Sequence, residues 1–288
     1  MAGELKTRFA PSPSGYLHLG HVASAIYVWG VARALGAKVL LRIEDHDLGR
    51  TRPEYMDQIL SDLSFLGFEW DGGYKQQMAD KSRFEEKLAF LKEKKSVYSC
   101  CCSRKEILAK NKGLSKKELW YPGTCRDLML SSKNLGLRFC MPKEKVFFND
   151  LLLGPIEQHP YSQCGDMLLC DRHGYYTYQY AVVVDDADDG INLIIRGQDL
   201  LASTGRQVLL AKALKLPVIE RFYHHPLILD DKGEKLAKKK FSTPIKKLRE
   251  QGEKSATILG QAAYEVGLIE EQKKISVKDL REIVGVDG

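Results

Sequence analysis

Apolar positions along this chain follow two rhythms that alternate from its beginning. "KTRFA" (Lys6–Ala10) is a short strand-like run. A Pro/Gly loop separates it from "GHVASAIYVWGVARALGA", where apolar residues recur at helical spacing and stop at Gly36. "KVLLRIED" is a continuous apolar run bounded by charge, the pattern of a buried strand. In "RPEYMDQILSDLSFLG", Tyr55, Ile59, Leu60, Leu63 and Phe65 share roughly one helical face between Pro53 and Gly67. Strand, helix, strand, helix predicts the start of a parallel sheet with covering helices.

From about Ser96 to Gly165 the regular pattern breaks into a turn-rich, cysteine-bearing stretch that reads as an insertion. Order resumes with "DMLLCDRHG", "YYTYQYAVVVDDADDG", the strand "INLIIRG" and the amphipathic helix "DLLASTGRQVLLAKALKL". "RFYHHPLIL" supplies a last strand before a lysine loop. Beyond about Ser242 the chain is helical and charged, with short helices in "ATILGQAAYEVGLIE" and "SVKDLREIVG".

Composition narrows the class. The chain has 288 residues, 44% of them hydrophobic, enough for a sizeable core. No apolar run approaches the roughly 20 residues of a membrane span, and "MAGELKTRFAPS" lacks the apolar stretch of a secretory signal. A soluble cytoplasmic protein is expected. A net charge of +6 permits a polyanionic partner without requiring one. Lysine runs at 92–95, 110–117 and 232–240 are ordinary as solvated faces. Seven cysteines in such a chain argue against a disulfide framework. Cys140, Cys164 and Cys170 are scattered and suit small apolar packing, whereas Cys100, Cys101, Cys102 and Cys125 are clustered.

Two loops carry candidate chemistry. In "RFAPSPSGYLHLGH", His18 and His21 sit three residues apart where a helix begins. Unpaired N–H groups and the helix dipole favour phosphate there, and both imidazoles can donate to phosphoryl oxygens. Gly15 and Gly20 leave room for a nucleotide against the backbone. In "KLAKK", Lys235 and Lys238 can reach a triphosphate from the opposite side as point charges.

These blocks resemble a family. "HLGH" is similar to the HIGH motif of class I aminoacyl-tRNA synthetases, and "KLAKK" to their KMSKS loop. "RFAPSPSGYLHLGH", "RIEDHD" and "YAVVVDDADDGINLIIRGQDLL" narrow the resemblance to the glutamyl branch, from about Arg8 to Ser242. It implies a Rossmann-like, doubly wound parallel sheet in an α/β fold. The expected division is a first half at 1–95, the insertion at 96–165, a second half at 166–241 and a short helical C-terminal part at 242–288. It also implies that His18, His21 and Lys238, with Lys235 close by, stabilise the pyrophosphate leaving group while an amino-acid carboxylate attacks ATP, with Mg2+ present. Leu19 replaces the usual isoleucine, and Ala237 stands where serine is common.

A glutamate pocket needs cations for two carboxylates and an acid for the ammonium group. Arg8 and Arg196 end strands at the edge where ligands bind open α/β sheets, and their planar forks suit carboxylates. Glu44 ends "VLLRIE" and can accept from the ammonium; Tyr178 supplies a phenolic hydroxyl. The resemblance assigns glutamate binding to Arg8, Ser12, Glu44, Tyr178 and Arg196, with a backbone contact at Ala10. It places Asp199 near the ATP ribose, with His18, Gly20, His21 and Lys238 completing the ATP site. A second arginine favours glutamate over glutamine, because a neutral amide leaves a buried cation poorly paired.

"YSCCCSRKEI" and "WYPGTC" offer three thiols for a tetrahedral zinc, at Cys100, Cys102 and Cys125. The fourth ligand is open on spacing alone: Cys101 is a candidate, though adjacent residues usually point apart. The resemblance to the truncated glutamyl-Q tRNA-Asp synthetase group supplies Tyr121, in a C-x-C…Y-x3-C pattern, and one structural Zn2+ per chain. No role is assigned to Cys101. Too little chain follows Lys238 for an anticodon-binding domain, so that group's reaction is expected: glutamate activated by ATP and transferred to queuosine in the tRNA-Asp anticodon. A monomer is expected. The rivals are a shortened synthetase charging tRNA-Glu and a catalytically silent RNA-binding paralogue.

Overall fold

The early alternation is realised as strand β1 (Lys6–Phe9), helix α1 (Leu19–Ala34), strand β2 (Lys38–Ile43), helix α2 (Pro53–Leu66) and strand β3 (Tyr74–Gln76). These come from a computed structural model describing residues 3–47, 49–114, 118–131, 134–227 and 243–286. Helix α3 (Ser82–Glu93), strand β4 (Val97–Cys100), helix α4 (Arg104–Lys110) and strands β5 (Gly136–Phe139), β6 (Val146–Asp150) and β7 (Gly154–Gln158) follow. Then come α5 (Pro160–Cys164), β8 (Met167–Cys170), α6 (Tyr178–Asp188), β9 (Leu193–Gly197), α7 (Thr204–Ala213) and β10 (Arg221–His225). Helices α8 (Ile245–Glu250), α9 (Ser255–Glu265) and α10 (Leu280–Ile283) close the described chain. Among the described residues, no helix is long and apolar enough to cross a membrane.

The chain forms two compact units. The first comprises residues 1–79, 191–199 and 221–288. In it β1 pairs parallel with β2 and β2 with β3, while β9 pairs parallel with β10. The start of β9 is pinned to β1: Lys6 N–H donates to Asn192 Oδ1 (2.8 Å) and Asn192 N–H to the Lys6 carbonyl (3.1 Å). Helix α1 is buried nearly all round, and Trp29, 1% exposed, packs between Phe9 and Phe68. Pro53 opens α2 at a position that needs no N–H. Gly67 closes it in the left-handed conformation (φ 87°). The C-terminal helices join this core, burying Ile258, Leu259, Ala262, Ala263 and Leu280. A Cβ at Gly30 of α1 would press on Val284 and the Leu280 carbonyl, so only glycine admits α10 so closely.

The second unit comprises residues 80–190 and 200–220. Its antiparallel sheet runs β4-β5-β8, and β6 and β7 form an antiparallel hairpin. Tyr180 on α6 donates its hydroxyl to the Phe84 carbonyl of α3 (2.5 Å). The amphipathic run expected to be helical from Asp199 starts its α-helix only at Thr204, after a 3-10 stretch over Gln198–Ser203.

Candidate functional site

The histidine loop builds the N-terminus of α1. His18 is the N-cap: its Nδ1 accepts the Gly20 N–H (3.1 Å), and His21 Nδ1 accepts the His18 N–H (3.2 Å). The ring centroids lie 4.0 Å apart. Since both Nδ1 atoms accept backbone protons, each neutral ring carries its own proton on Nε2. Burial lowers the pKa of His18. Burial, and then repulsion from His18, lower that of His21 to about 3. The helix start therefore offers two neutral Nε2–H donors beside its positive dipole end. A Cβ at Gly20 would sit 3.0 Å from His18 Cε1, so any larger residue would press on the capping imidazole.

The carboxyl edge of the first unit's parallel strands carries buried charge. Arg8, in register with Leu40 of β2, is 4% exposed, Glu44 just after β2 is 5% exposed, and Arg196 on β9 is 5% exposed. The Pro/Ser loop with Ala10 and Ser12 is laid against this edge. Glu44 N–H donates to the Pro11 carbonyl (3.0 Å) and Arg52 N–H to the Pro13 carbonyl (3.1 Å). Arg42, also buried, donates to Glu44 Oε1 (3.2 Å). Arg196 is in register with His224 of β10 and donates its Nε–H to His224 Nε2 (3.1 Å). Burying this many charges is costly unless each is paired and aimed. Asp199 follows β9 with its carboxylate against Gly197. Beside it, His225 stacks on Tyr27 (4.6 Å) and its Nε2 meets Ser24 Oγ (3.1 Å), both on α1. Burial lowers the His225 pKa to about 4, against the opposing pull of the Pro226 carbonyl and Asp199.

Of the residues expected from sequence, Arg8, Ala10, Ser12, His18, Gly20, His21, Glu44, Arg196 and Asp199 all belong to the first unit. Tyr178 belongs to the second, as the half-buried first residue of α6. Lys235 and Lys238 lie outside the described residues. Arg42, His224 and His225 escaped the sequence reading. The one available signal was two adjacent histidines in the apolar strand "RFYHHPL".

The second unit gathers the cysteines. The Sγ atoms of Cys100, Cys102 and Cys125 lie within 4.8 Å of one another. Tyr121 Oη is 3.2 Å from Cys100 Sγ and 3.7 Å from Cys102 Sγ, and it accepts the Cys125 N–H (3.1 Å). Cys102 and Cys125 Sγ are 3.6 Å apart, close to the ~3.8 Å edge of a tetrahedron with bonds of about 2.3 Å. Three thiols and a phenol converging at these separations fit one zinc ion. Burial opposes the Cys125 thiolate, but hydrogen bonds from Tyr121, Cys101 and Cys102 outweigh it and lower its pKa to about 6. Cys101 is exposed, with its Sγ 3.7 Å from that of Cys125.

Tyr121 is held from outside its own loop. Its N–H donates to the Cys164 carbonyl (2.9 Å), and a Cβ on Gly165 (φ 65°) would collide with the Tyr121 carbonyl. The Arg138 guanidinium lies 3.6 Å over its ring and donates through Nε to Cys100 Sγ (3.2 Å).

Comparison with known proteins follows the same lines. A family described as "tRNA synthetases class I (E and Q), catalytic domain" matches residues 4–280. The Glutamyl-Q tRNA(Asp) synthetase of Symbiobacterium thermophilum is 38% identical, aligned over 95% of this chain and 90% of its own length. The Glutamate--tRNA ligase of Buchnera aphidicola is also 38% identical, over 86% of this chain but 54% of its own length. The crystal structure of a glutamate tRNA ligase from Elizabethkingia meningosepticum, in complex with its amino acid, superposes with a TM-score of 0.78 at 23% identity. It covers 97% of this chain, which spans 64% of that protein.

Proposed function

This chain belongs to the class I tRNA synthetases (E and Q), and from that premise we propose that it activates glutamate with ATP and transfers it to queuosine in the tRNA-Asp anticodon. The carrying observation is one unit that holds a neutral histidine pair at a helix start and two buried arginines with a buried glutamate at its sheet edge.

In this reading Arg8 and Arg196 bind the glutamate carboxylates, Glu44 accepts from the ammonium, and Ala10 and Ser12 line the pocket. The α-carboxylate attacks the α-phosphorus of ATP; the bond to the bridging oxygen breaks and pyrophosphate leaves. His18 and His21 donate their Nε2–H groups to phosphoryl oxygens, and the charges of Lys235 and Lys238 stabilise the leaving pyrophosphate. Gly20 admits the nucleotide and Asp199 meets its ribose. Mg2+ would supply charge neutralisation on the phosphates. A queuosine cyclopentene-diol hydroxyl then attacks the adenylate carbonyl, and AMP leaves. Zn2+ at Cys100, Cys102, Tyr121 and Cys125 would be structural, fixing two turns of the second unit. These substrates suit a cytoplasmic enzyme.

The acceptor rests on similarity: relatives 37–39% identical over most of this chain carry the name Glutamyl-Q tRNA(Asp) synthetase. Transfer of labelled glutamate to tRNA-Asp with and without queuosine tests it. Label requiring queuosine supports the reading. Label on the terminal adenosine of tRNA-Glu would replace it with the charging reaction.

A further inference from the structure

The second unit contains a chamber of about 510 Å³ that the glutamate chemistry leaves unused. Cys100 and Cys102 line it but Cys125 and Tyr121 do not, so it opens beside the proposed metal position rather than being that position. Its walls divide by chemistry. Ile107, Leu119 and Leu168 give it an apolar lining, while Arg104, Arg172 and His173 supply cationic and donor groups. Arg104 and Arg172 are exposed and, among the described residues, neither is in a salt bridge. Arg138 adds a buried guanidinium, fixed by Nε on Cys100 Sγ and by Nη1 on the Asp166 carbonyl (2.8 Å). The one carboxylate, Asp171, is engaged by the backbone. Its Oδ1 accepts the N–H groups of His173 (2.8 Å) and Tyr175 (2.9 Å), folding the turn that carries Arg172 and His173.

Two exposed guanidiniums and an imidazole, beside an Arg138 already held by Cys100 and the Asp166 carbonyl, outnumber the one lining carboxylate and favour an anion, and planar guanidinium forks suit phosphate. The apolar lining selects a hydrophobic group attached to it. The volume lies within the range of small-ligand pockets, about 300–1,000 Å³. We propose that this chamber receives one unstacked nucleotide of the RNA acceptor, its base against Ile107, Leu119 and Leu168 and its phosphate on Arg104, Arg172 and His173. The proposal rests on the RNA half of the function above. Proteins that read RNA sequence commonly take splayed loop bases into such pockets. The shared chemistry, a nucleoside monophosphate unit, also exists free in solution, so the test separates the two sources.

Labelled tRNA-Asp is titrated against the full chain and against an Arg104→Glu, Arg172→Glu double variant, over a range of salt. The variant is expected to bind at least about 10-fold more weakly, with a log–log salt slope shallower by about 1 to 2. Its glutamate-dependent ATP–pyrophosphate exchange stays unchanged. Leu168→Trp, which fills the chamber, is expected to weaken binding while leaving the salt slope and zinc content intact. Leu119→Phe repeats that arm should the tryptophan variant lose its metal. Unchanged affinity and slope in the charge variant overturn the proposal. So does AMP whose binding is lost in the charge variant and yet does not compete with tRNA on the wild type. Wild-type protein that binds no tRNA overturns the RNA reading itself, a different failure from wild-type binding that the variants leave intact.

Discussion

Replacing His224 with leucine isolates the contact that aims Arg196. His224 is fully buried, Arg196 is 5% exposed, and the Nε–H of Arg196 reaches His224 Nε2 at 3.1 Å. The substitution removes that acceptor without adding charge. A hydrogen bond to a charged group is worth about 1.5–3 kcal/mol, and each 1.4 kcal/mol is about tenfold in affinity. Glutamate KM in ATP–pyrophosphate exchange should therefore rise roughly 10- to 100-fold, with kcat falling less and ATP KM unchanged. His224→Gln, whose Oε1 can occupy the position of Nε2, should recover most of the loss. Discrimination against glutamine should weaken in the leucine variant, since a loosened guanidinium demands less of its partner. An unchanged glutamate KM would refute the positioning role. Equal losses for ATP and glutamate that glutamine fails to rescue would reduce His224 to a packing residue.

His21→Ala removes one preorganised donor to the phosphates, so exchange kcat should drop about 10²-fold; a change under threefold contradicts that role. Gly165→Ala, which drives a Cβ into the Tyr121 carbonyl, should lower zinc content as Cys102→Ala does, whereas Cys101→Ala keeps the metal. Atomic absorption of the purified proteins decides, and zinc lost on Cys101→Ala would move the ligand set. His21 and His225 bind protons near pH 3 and 4 in the folded chain but near 6.5 when unfolded. Their contribution to stability is thus full above pH 6.5 and is lost as the pH falls toward 3 to 4. The melting temperature of His225→Leu should fall less between pH 7 and 5 than that of the wild type; equal falls would contradict it.

The first strands and helices were legible because local chemistry and tertiary context agree there. Pro53, Gly67 and Gly36 punctuate apolar runs of the right period, and the elements begin and end at them. The C-terminal helices look charged and appended in sequence, yet they pack into the first unit's core. Nothing local shows that Gly30 receives α10, or that a Cβ at Gly260 would collide with the Lys273 carbonyl. The start of α7 was misplaced because apolar spacing does not distinguish a 3-10 entry from an α-helix. In the metal cluster, the three thiols announce themselves by residue type. Tyr121 came with the family resemblance, whereas Gly165 and Arg138 join the cluster only when β5, β8 and the turn before β8 bring distant positions together. His224 was hidden similarly: a register pairing of two parallel strands, not spacing along either, sets it against Arg196.

The most direct measurement is ATP–pyrophosphate exchange by the full chain without RNA, across glutamate, glutamine and aspartate. Exchange with glutamate alone, abolished by Arg8→Ala and by Arg196→Ala, is the expected result. Exchange that needs tRNA, prefers glutamine or survives loss of both arginines would contradict a glutamate site built from these strands and this helix start.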